Sequence, residues 1–393
     1  MDHVQGFGQE RKSRSSGGHY ACRAALIGSF LVATPFIPFV PVRGQDECPY
    51  AQEVAARQAT GRTVLVVQEG PGTVVLFSTA DPSQQKIIDV GQRPHEIELA
   101  ADGETAFVSN FGLLEANHRV GTPGTTISVI DIERAVERAQ FHLPAGAAAP
   151  HGLKLRPPQY QELFTNAEEG QEQMFSFDAQ SGALLRAFPL PRGVHNFIFN
   201  SDGTALFAFT LSNEILRIDP DRGAVTASIR VPSPRGLAWT ADGDHLLVGG
   251  KNEVLVLDPA HLSIESRFSN LGVGQIFYPS ATPDGRWILA PAALDGVVLI
   301  LDAANGSVQQ RVKTGSALQA IVDGSQAWIS NVLVPHHMLL PFDEPRNGGV
   351  VLLDLTTFAV TQLPQIHDAN GIGITPEKKL AYRSFLDCIE EPP

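Results

Sequence analysis

The sequence contains few cysteines and few charged side chains. Its 393 residues include three cysteines, and Asp, Glu, Lys and Arg together make up 18% of the chain. So few cysteines exclude a small scaffold held together by several disulfides, and no Cys-x-x-Cys pair is present. The formal net charge of −13 argues against nucleic-acid binding driven by overall charge.

The familiar catalytic motifs are also missing. The chain has no Gly-x-Ser-x-Gly, no His-Glu-x-x-His and no Walker loop. Zinc-finger ligand spacing is absent as well. If the protein has a site, the fold must assemble it from residues far apart in the sequence.

One apolar stretch stands out, at residues 24–42, and it follows a cluster of basic residues between positions 11 and 23. This order predicts a signal peptide over residues 1–44, with cleavage after Gly44. The alternative is an uncleaved anchor, although Pro35, Pro38 and Pro41 interrupt the run. We expect a periplasmic or secreted protein whose mature chain has no membrane span.

The cysteines fit an exported protein. Cys22 falls inside the predicted signal, which leaves Cys48 and Cys388 near the two ends of the mature chain. In an oxidising compartment this pair can form one disulfide that closes almost the whole chain. The alternative is two free thiols.

A short phrase recurs along the chain. In "PHEIELAADG", His95 lies eight residues before Gly103, and the same spacing places His195 before Gly203 and Arg235 before Gly243. Phe277 before Gly285 also has this spacing, and three more positions align less completely: His151 lacks the Asp-Gly turn, Gln319 stands in a shortened form, and Asn370 stands in "ANGIGITPEK". The seven positions are 40 to 56 residues apart, which is the size of one propeller blade. The aligned residues are His95, His151, His195, Arg235, Phe277, Gln319 and Asn370.

Each repeat reads as four short strands. Runs rich in Val, Ile, Leu and Phe are bounded by Gly, Asp and Pro, which is typical of strands joined by turns. The sequence therefore predicts an all-β, seven-bladed β-propeller of antiparallel four-stranded blades over residues 61–385. Residues 61–91 supply three strands and "NGIGITPEK" near the C-terminus supplies a fourth, so the two termini are expected to complete one blade. We expect a short segment or helix at 45–60 and a tail at 386–393, with 380–385 as an extra edge element.

The repeats resemble those of the YVTN-repeat β-propeller family of exported bacterial proteins. The resemblance is carried by "GQRPHEIELAADGETAFVSNFG", "APHGLKLRP" and "GSVQQRVKTG", and it covers nearly all of the mature chain. More distantly, the repeats resemble lactonases of the phosphogluconolactonase type and the haem-d1 propeller of nitrite reductases. These resemblances imply a fold, and fold does not decide function.

The seven aligned residues form a ring at one mouth of the central channel, because the innermost strands of a propeller run parallel around its axis. Three histidines followed by an arginine suit a metal ion or a small anion. A histidine at a strand start can equally bond a loop carbonyl and serve structure alone. The predicted ligand-binding residues are His95, His151, His195, Arg235, Gln319 and Asn370, and the metal-ligand candidates are His95, His151, His195, His118 and His367.

Two insertions, at 111–126 and 334–349, each join the second strand of a repeat to the third. That connection lies at the mouth where the inner strand begins, so His118, His336 and His337 are expected to overhang the ring. Loops on a rigid scaffold are common places for binding sites.

Three hypotheses follow. The first is an exported propeller that binds a divalent metal or a small anionic molecule in a histidine-lined mouth. The second is a lactonase-type hydrolase in which His95, His151 or His195 acts as general base and Arg235 holds the oxyanion; no ring position is a glutamate. The third is a module that binds another protein through its rim.

Overall fold

The computed structural model describes residues 61–115, 117–333 and 348–377, and every regular element in these ranges is a β-strand. Several predictions made from the sequence fall outside the described residues: the signal peptide, segment 45–60, Cys48, Cys388, His336, His337 and everything beyond 377. Within the described ranges, no helix is long and apolar enough to cross a membrane.

Thirty strands follow one another along the described chain. The first fifteen are β1 (Thr63–Gln68), β2 (Thr73–Ser78), β3 (Gln85–Asp89), β4 (Pro94–Leu99), β5 (Thr105–Asn110), β6 (Leu113–Leu114), β7 (Asn117–Gly121), β8 (Thr126–Asp131), β9 (Val136–His142), β10 (Ala147–Leu155), β11 (Glu162–Gly170), β12 (Gln173–Asp178), β13 (Leu184–Pro189), β14 (Val194–Phe199) and β15 (Leu206–Thr210). The remainder are β16 (Glu214–Asp219), β17 (Ala224–Arg230), β18 (Leu237–Trp239), β19 (Leu246–Gly250), β20 (Glu253–Asp258), β21 (Ser263–Ser269), β22 (Ser280–Ala281), β23 (Trp287–Ala292), β24 (Val297–Asp302), β25 (Val308–Lys313), β26 (Ala317–Asp323), β27 (Gln326–Asn331), β28 (Gly349–Asp354), β29 (Val360–Leu363) and β30 (Ala369–Ile374).

These strands form seven four-stranded antiparallel sheets, the blades of a β-propeller, which confirms the predicted fold class. Blade 1 has the order β3-β2-β1-β30, and blade 2 has the order β4-β5-β8-β9. Blades 3 to 7 each take four consecutive strands, beginning with β10, β14, β18, β22 and β26. The small sheet β6-β7 is the insertion at 111–126 folded as a hairpin.

Blade 1 closes the ring with strands from both ends of the described chain. Strand β30 pairs antiparallel with β1, where Val64 faces Ile374 and Val66 faces Ile372. The predicted joining of N- and C-terminal strands is therefore confirmed. "TVLVVQ" occupies the second position of this blade, next to the inner strand β30.

The core consists of seven apolar layers, one between each pair of neighbouring blades. In β1, Leu65 and Val67 pack towards blade 2, whereas Val64 and Val66 pack towards blade 7. Because both faces of the strand are buried, it reads as an unbroken apolar run. The result is a rigid frame around a central channel.

The aspartates of the repeat serve its turns. The Asp102, Asp202, Asp242 and Asp284 carboxylates each accept a backbone N–H two residues ahead. Side-chain and backbone hydrogen bonds of this kind hold the pKa of Asp202 below its usual value. These acids are turn formers at the surface and lie away from the channel.

Candidate metal centre

Three buried histidines come together where the inner strands of blades 2, 3 and 4 begin. His95, His151 and His195 are 3%, 0% and 6% exposed. Their imidazole rings stack in sequence, with centroids 4.2 Å apart for His95 and His151 and 4.0 Å apart for His151 and His195. Three of the seven aligned positions therefore bring their imidazoles side by side in the channel.

A local irregularity aims each of these side chains. The ladder between the inner strand and its neighbour shifts register at the histidine in all three blades: between Pro94 and Ile97, between Pro150 and Leu153, and between Val194 and Asn196. A bulge of this kind bends the strand and redirects a side chain.

The hairpin β6-β7 brings an acid over the histidines. Phe111, at its base, packs edge-on against the rings of His95 and His151 at 5.4 and 5.3 Å. Gly124 lies against the other side of this base, where an added Cβ would come within 1.8 Å of the Asn110 carbonyl oxygen, so only glycine fits. The hairpin turn then places Glu115, whose side chain is 15% exposed, above the imidazoles.

All three histidines turn the same nitrogen towards Glu115. The Nε2 atoms of His95 and His151 lie 3.7 Å from its Oε2, and Nε2 of His195 lies 3.5 Å from its Oε1. These separations exceed the usual N–H···O limit of about 3.2 Å. They are close to the spacing of about 3.3–3.6 Å between neighbouring ligand atoms of a tetrahedral ion with bonds of about 2.0–2.2 Å.

A second acid, Glu168, lies near the end of β11 on the other side of the imidazoles. Its Oε1 is 2.9 Å from Nδ1 of His195 and 3.9 Å from Nδ1 of His151. Burial raises the pKa of this carboxyl group to about 8, against an opposing effect of His118. A carboxylate on Nδ1 is the usual partner of a histidine that binds metal through Nε2.

His195 itself is suited to be a neutral ligand. Its pKa is lowered mainly by burial, and Glu115 acts in the opposite direction. A neutral imidazole offers a lone pair to a metal ion, which a protonated one cannot.

His118, on β7, completes the cluster. Its Nδ1 lies 3.1 Å from Oε1 of Glu169, and its Nε2 lies 4.0 Å from Oε2 of Glu168. Within the described residues, three overlapping triads place one donor atom from each member within 4.8 Å of the others. They are His95-Glu115-His151, His151-Glu168-His195 and Glu115-His118-Glu168.

The remaining predicted residues belong to none of the three triads. Arg235 is half-buried, and its Nη1 donates to the Pro234 carbonyl at 3.0 Å. Asn370 is fully buried, and Phe277 packs in a small apolar cluster. His367 is exposed and belongs to none of the three triads.

Beneath the histidines, a polar layer crosses the channel. Asn196 donates to Glu96 at 3.0 Å and to the Tyr278 hydroxyl at 3.2 Å, and the Gln319 amide reaches the Glu96 carboxylate at 3.3 Å. Burial raises the pKa of Glu96, although Lys154 opposes this. A cavity of about 200 Å³ adjoins this layer, lined in part by Lys154 and Ile372.

Sequence reasoning found the three histidines and His118 but missed the glutamates. Glu115 lies in the insertion expected to overhang the ring, three residues before His118. Glu168 and Glu169 form a pair of adjacent acids in "TNAEEG", at the end of β11. An acid pair at that point, beside a channel of histidines, was the available signal.

The comparisons with known proteins support the fold. No protein-family model and no curated protein matches the chain. Among solved structures, a protein of unknown function from Desulfotomaculum acetoxidans is similar at TM-score 0.61 and 15% identity, over 80% of this chain and 99% of that one. A dihydro-haem d1 dehydrogenase is similar at TM-score 0.58 and 14% identity, over 79% of this chain and 74% of that one. The hydrazine synthase of Kuenenia stuttgartiensis is similar at TM-score 0.58 and 16% identity, over 70% of this chain and 90% of that one. At these identities the likeness shows the propeller fold alone.

Proposed function

We propose that this protein is an exported propeller that binds a divalent transition-metal ion at the mouth of its channel. The ligands are Nε2 of His95, His151 and His195 together with the Glu115 carboxylate. One observation carries the proposal: three buried imidazole nitrogens lie 3.5–3.7 Å from the oxygens of one carboxylate, and His95, His151 and Glu115 form a triad with one donor atom from each within 4.8 Å of the others. Export rests on the basic and apolar segment at residues 1–44, and the YVTN-repeat resemblance agrees with it.

The donor types narrow the choice of ion. Imidazole suits zinc, copper, iron and nickel, whereas magnesium and calcium prefer sites made of oxygen donors. A small anion, the other ligand expected from the sequence, fits less well. Glu115, with a side chain 15% exposed, puts a carboxylate where it would bind, and placing an anion beside a carboxylate in low dielectric is unfavourable.

Elemental analysis of the purified protein tests this function directly. We expect stoichiometric zinc, copper, iron or nickel, and after chelation we expect Zn²⁺ to rebind in calorimetry. Zn²⁺ at 100 times its Kd should stabilise the fold by about 2.7 kcal/mol, visible as a higher melting temperature. Protein that contains no metal and takes up none of these ions would refute the proposal.

Metal binding should also depend on pH. At pH 7 Glu168, with a pKa of about 8, is mostly protonated. Binding through Nε2 of His195 leaves its Nδ1–H donating to an ionised Glu168, so one proton is released. Affinity should therefore rise up to tenfold per pH unit and level off above pH about 8. Proton release measured by calorimetry in two buffers should fall from about one at pH 7 towards zero at pH 9.

The stability of the metal-free fold should change with pH in the opposite direction, falling as the pH rises. The folded-state pKa of Glu168 is raised above its ordinary value of 4.5, so the folded state holds this proton more tightly than the unfolded state. That contribution to stability is complete below pH 4.5 and is lost as pH rises through about 8. Glu168→Gln should flatten both profiles, and an affinity that stays constant between pH 6.5 and 8.5 would contradict this assignment.

A further inference from the structure

We propose that the mouth holds a second divalent metal ion, bound by His118 and Glu168 and sharing Glu115 with the first. This inference rests on the proposed function, because the shared carboxylate joins the two sites. The result is a carboxylate-bridged pair of ions, with the second ion on the solvent side of the mouth.

His118 stands apart from the donors of the first ion. Six side chains contribute to the three triads, and His118 shares none of these triads with His95, His151 or His195. Glu115 belongs both to the triad with His95 and His151 and to the triad with His118 and Glu168. One ion cannot use both triads, whereas two ions on either side of Glu115 can.

His118 is oriented as a metal ligand. Its Nδ1 lies 3.1 Å from the Glu169 carboxylate, just as Nδ1 of His195 lies 2.9 Å from Glu168. In both histidines a carboxylate on Nδ1 leaves Nε2 directed into the cluster. This is the arrangement that orients histidines which bind metals, and in His118 it has no use at the first ion.

The two carboxylate oxygens of Glu168 face different histidines. Oε1 contacts Nδ1 of His195, and Oε2 lies 4.0 Å from Nε2 of His118. Because the Glu168 side chain is only 8% exposed, Oε2 is held in a largely dry site. One oxygen therefore orients a ligand of the first ion while the other binds the second.

The two ions should bind with different affinities. The first has three histidines that are nearly or fully buried, whereas the His118 side chain is 32% exposed. Fewer protein ligands and greater exposure leave more positions to water. We expect a tight first ion and a weaker, more readily exchanged second ion.

The test is a titration of the metal-free full chain with Zn²⁺, followed by calorimetry and elemental analysis. The wild-type protein should bind two ions in two phases, and His118→Ala should bind one with the affinity of the tight phase retained within about threefold. The matched control is His245→Ala. This histidine also pairs with a carboxylate, Glu265 at 2.9 Å, but on the outer part of blade 5, so the control should still bind two.

Manganese gives an independent readout. Two Mn²⁺ ions joined by a carboxylate should produce an exchange-coupled electron paramagnetic resonance spectrum, which His118→Ala should convert to that of an isolated ion. One ion per wild-type chain, or two uncoupled ions, would overturn this inference and leave the proposed function standing. No ion in either protein would overturn both.

Discussion

A chain that ends at Asp368 will fail to fold, whereas a chain that ends at Glu377 will unfold in one cooperative transition. The difference between the two is strand β30, the inner strand of blade 1. Without it, β1 loses the partners of Val64 and Val66, and the apolar layer between blades 7 and 1 loses Ile372.

The expected effect is large because β30 supplies Ala369, Ile372 and Ile374 to the apolar layer between blades 7 and 1. Each buried valine or isoleucine that becomes exposed costs about 1.5–3 kcal/mol, and each backbone hydrogen bond lost to β1 costs about 1 kcal/mol. The Thr375 carbonyl and hydroxyl, which accept from Arg62 and from the Thr63 amide, are lost as well. Together these losses approach the 5–15 kcal/mol that typically separates a folded domain from its unfolded state.

The comparison is matched, since both chains lack residues 378–393 and any contribution of Cys388 cancels. Circular dichroism and thermal melting of the two purified chains would decide. A cooperative transition for the chain ending at Asp368, within a few degrees of the longer one, would show that the ring does not need β30 to close.

Much of the fold could be predicted because the same strand and turn pattern recurs in each repeat of the sequence. An Asp-Gly turn follows five of the seven inner strands, and in those repeats it fixes the register of the preceding strand. The ring positions follow from that register alone. Closure by the two termini followed from counting: three strands at one end and one at the other make a blade.

The sequence predicted the histidines of the site but not its glutamates, and the reason is physical. His95, His151 and His195 belong to the repeat, so their proximity follows from the architecture. Glu115 reaches them only because Phe111 packs its hairpin against their rings, and such a contact leaves no periodic signal in the sequence. Glu168 ends a second strand, where an acid in the sequence reads as an ordinary turn residue.

Replacing Glu115 by glutamine should abolish tight metal binding while leaving the propeller folded. The substitution keeps the shape of the side chain but removes the charge faced by three Nε2 atoms. Loss of a carboxylate outside the ligand set typically costs 10- to 100-fold in affinity, so loss of the shared ligand should cost more than about 100-fold. Zn²⁺ titration by calorimetry, or by competition with a chelator, measures this.

Stability separates this effect from misfolding. Glutamine keeps the shape of the glutamate side chain and can still form hydrogen bonds, so the melting temperature of the metal-free variant should stay close to that of the wild type. The wild-type protein should gain stability with Zn²⁺, and Glu115→Gln should gain almost none. Glu265→Gln, which changes the acid beside His245 on the outer part of blade 5, is the matched control and should bind Zn²⁺ as the wild type does. If Glu115→Gln bound Zn²⁺ with unchanged affinity and stoichiometry, the metal would have to lie away from the hairpin. The convergence of three histidines on Glu115 would then be a packing arrangement without ligand chemistry.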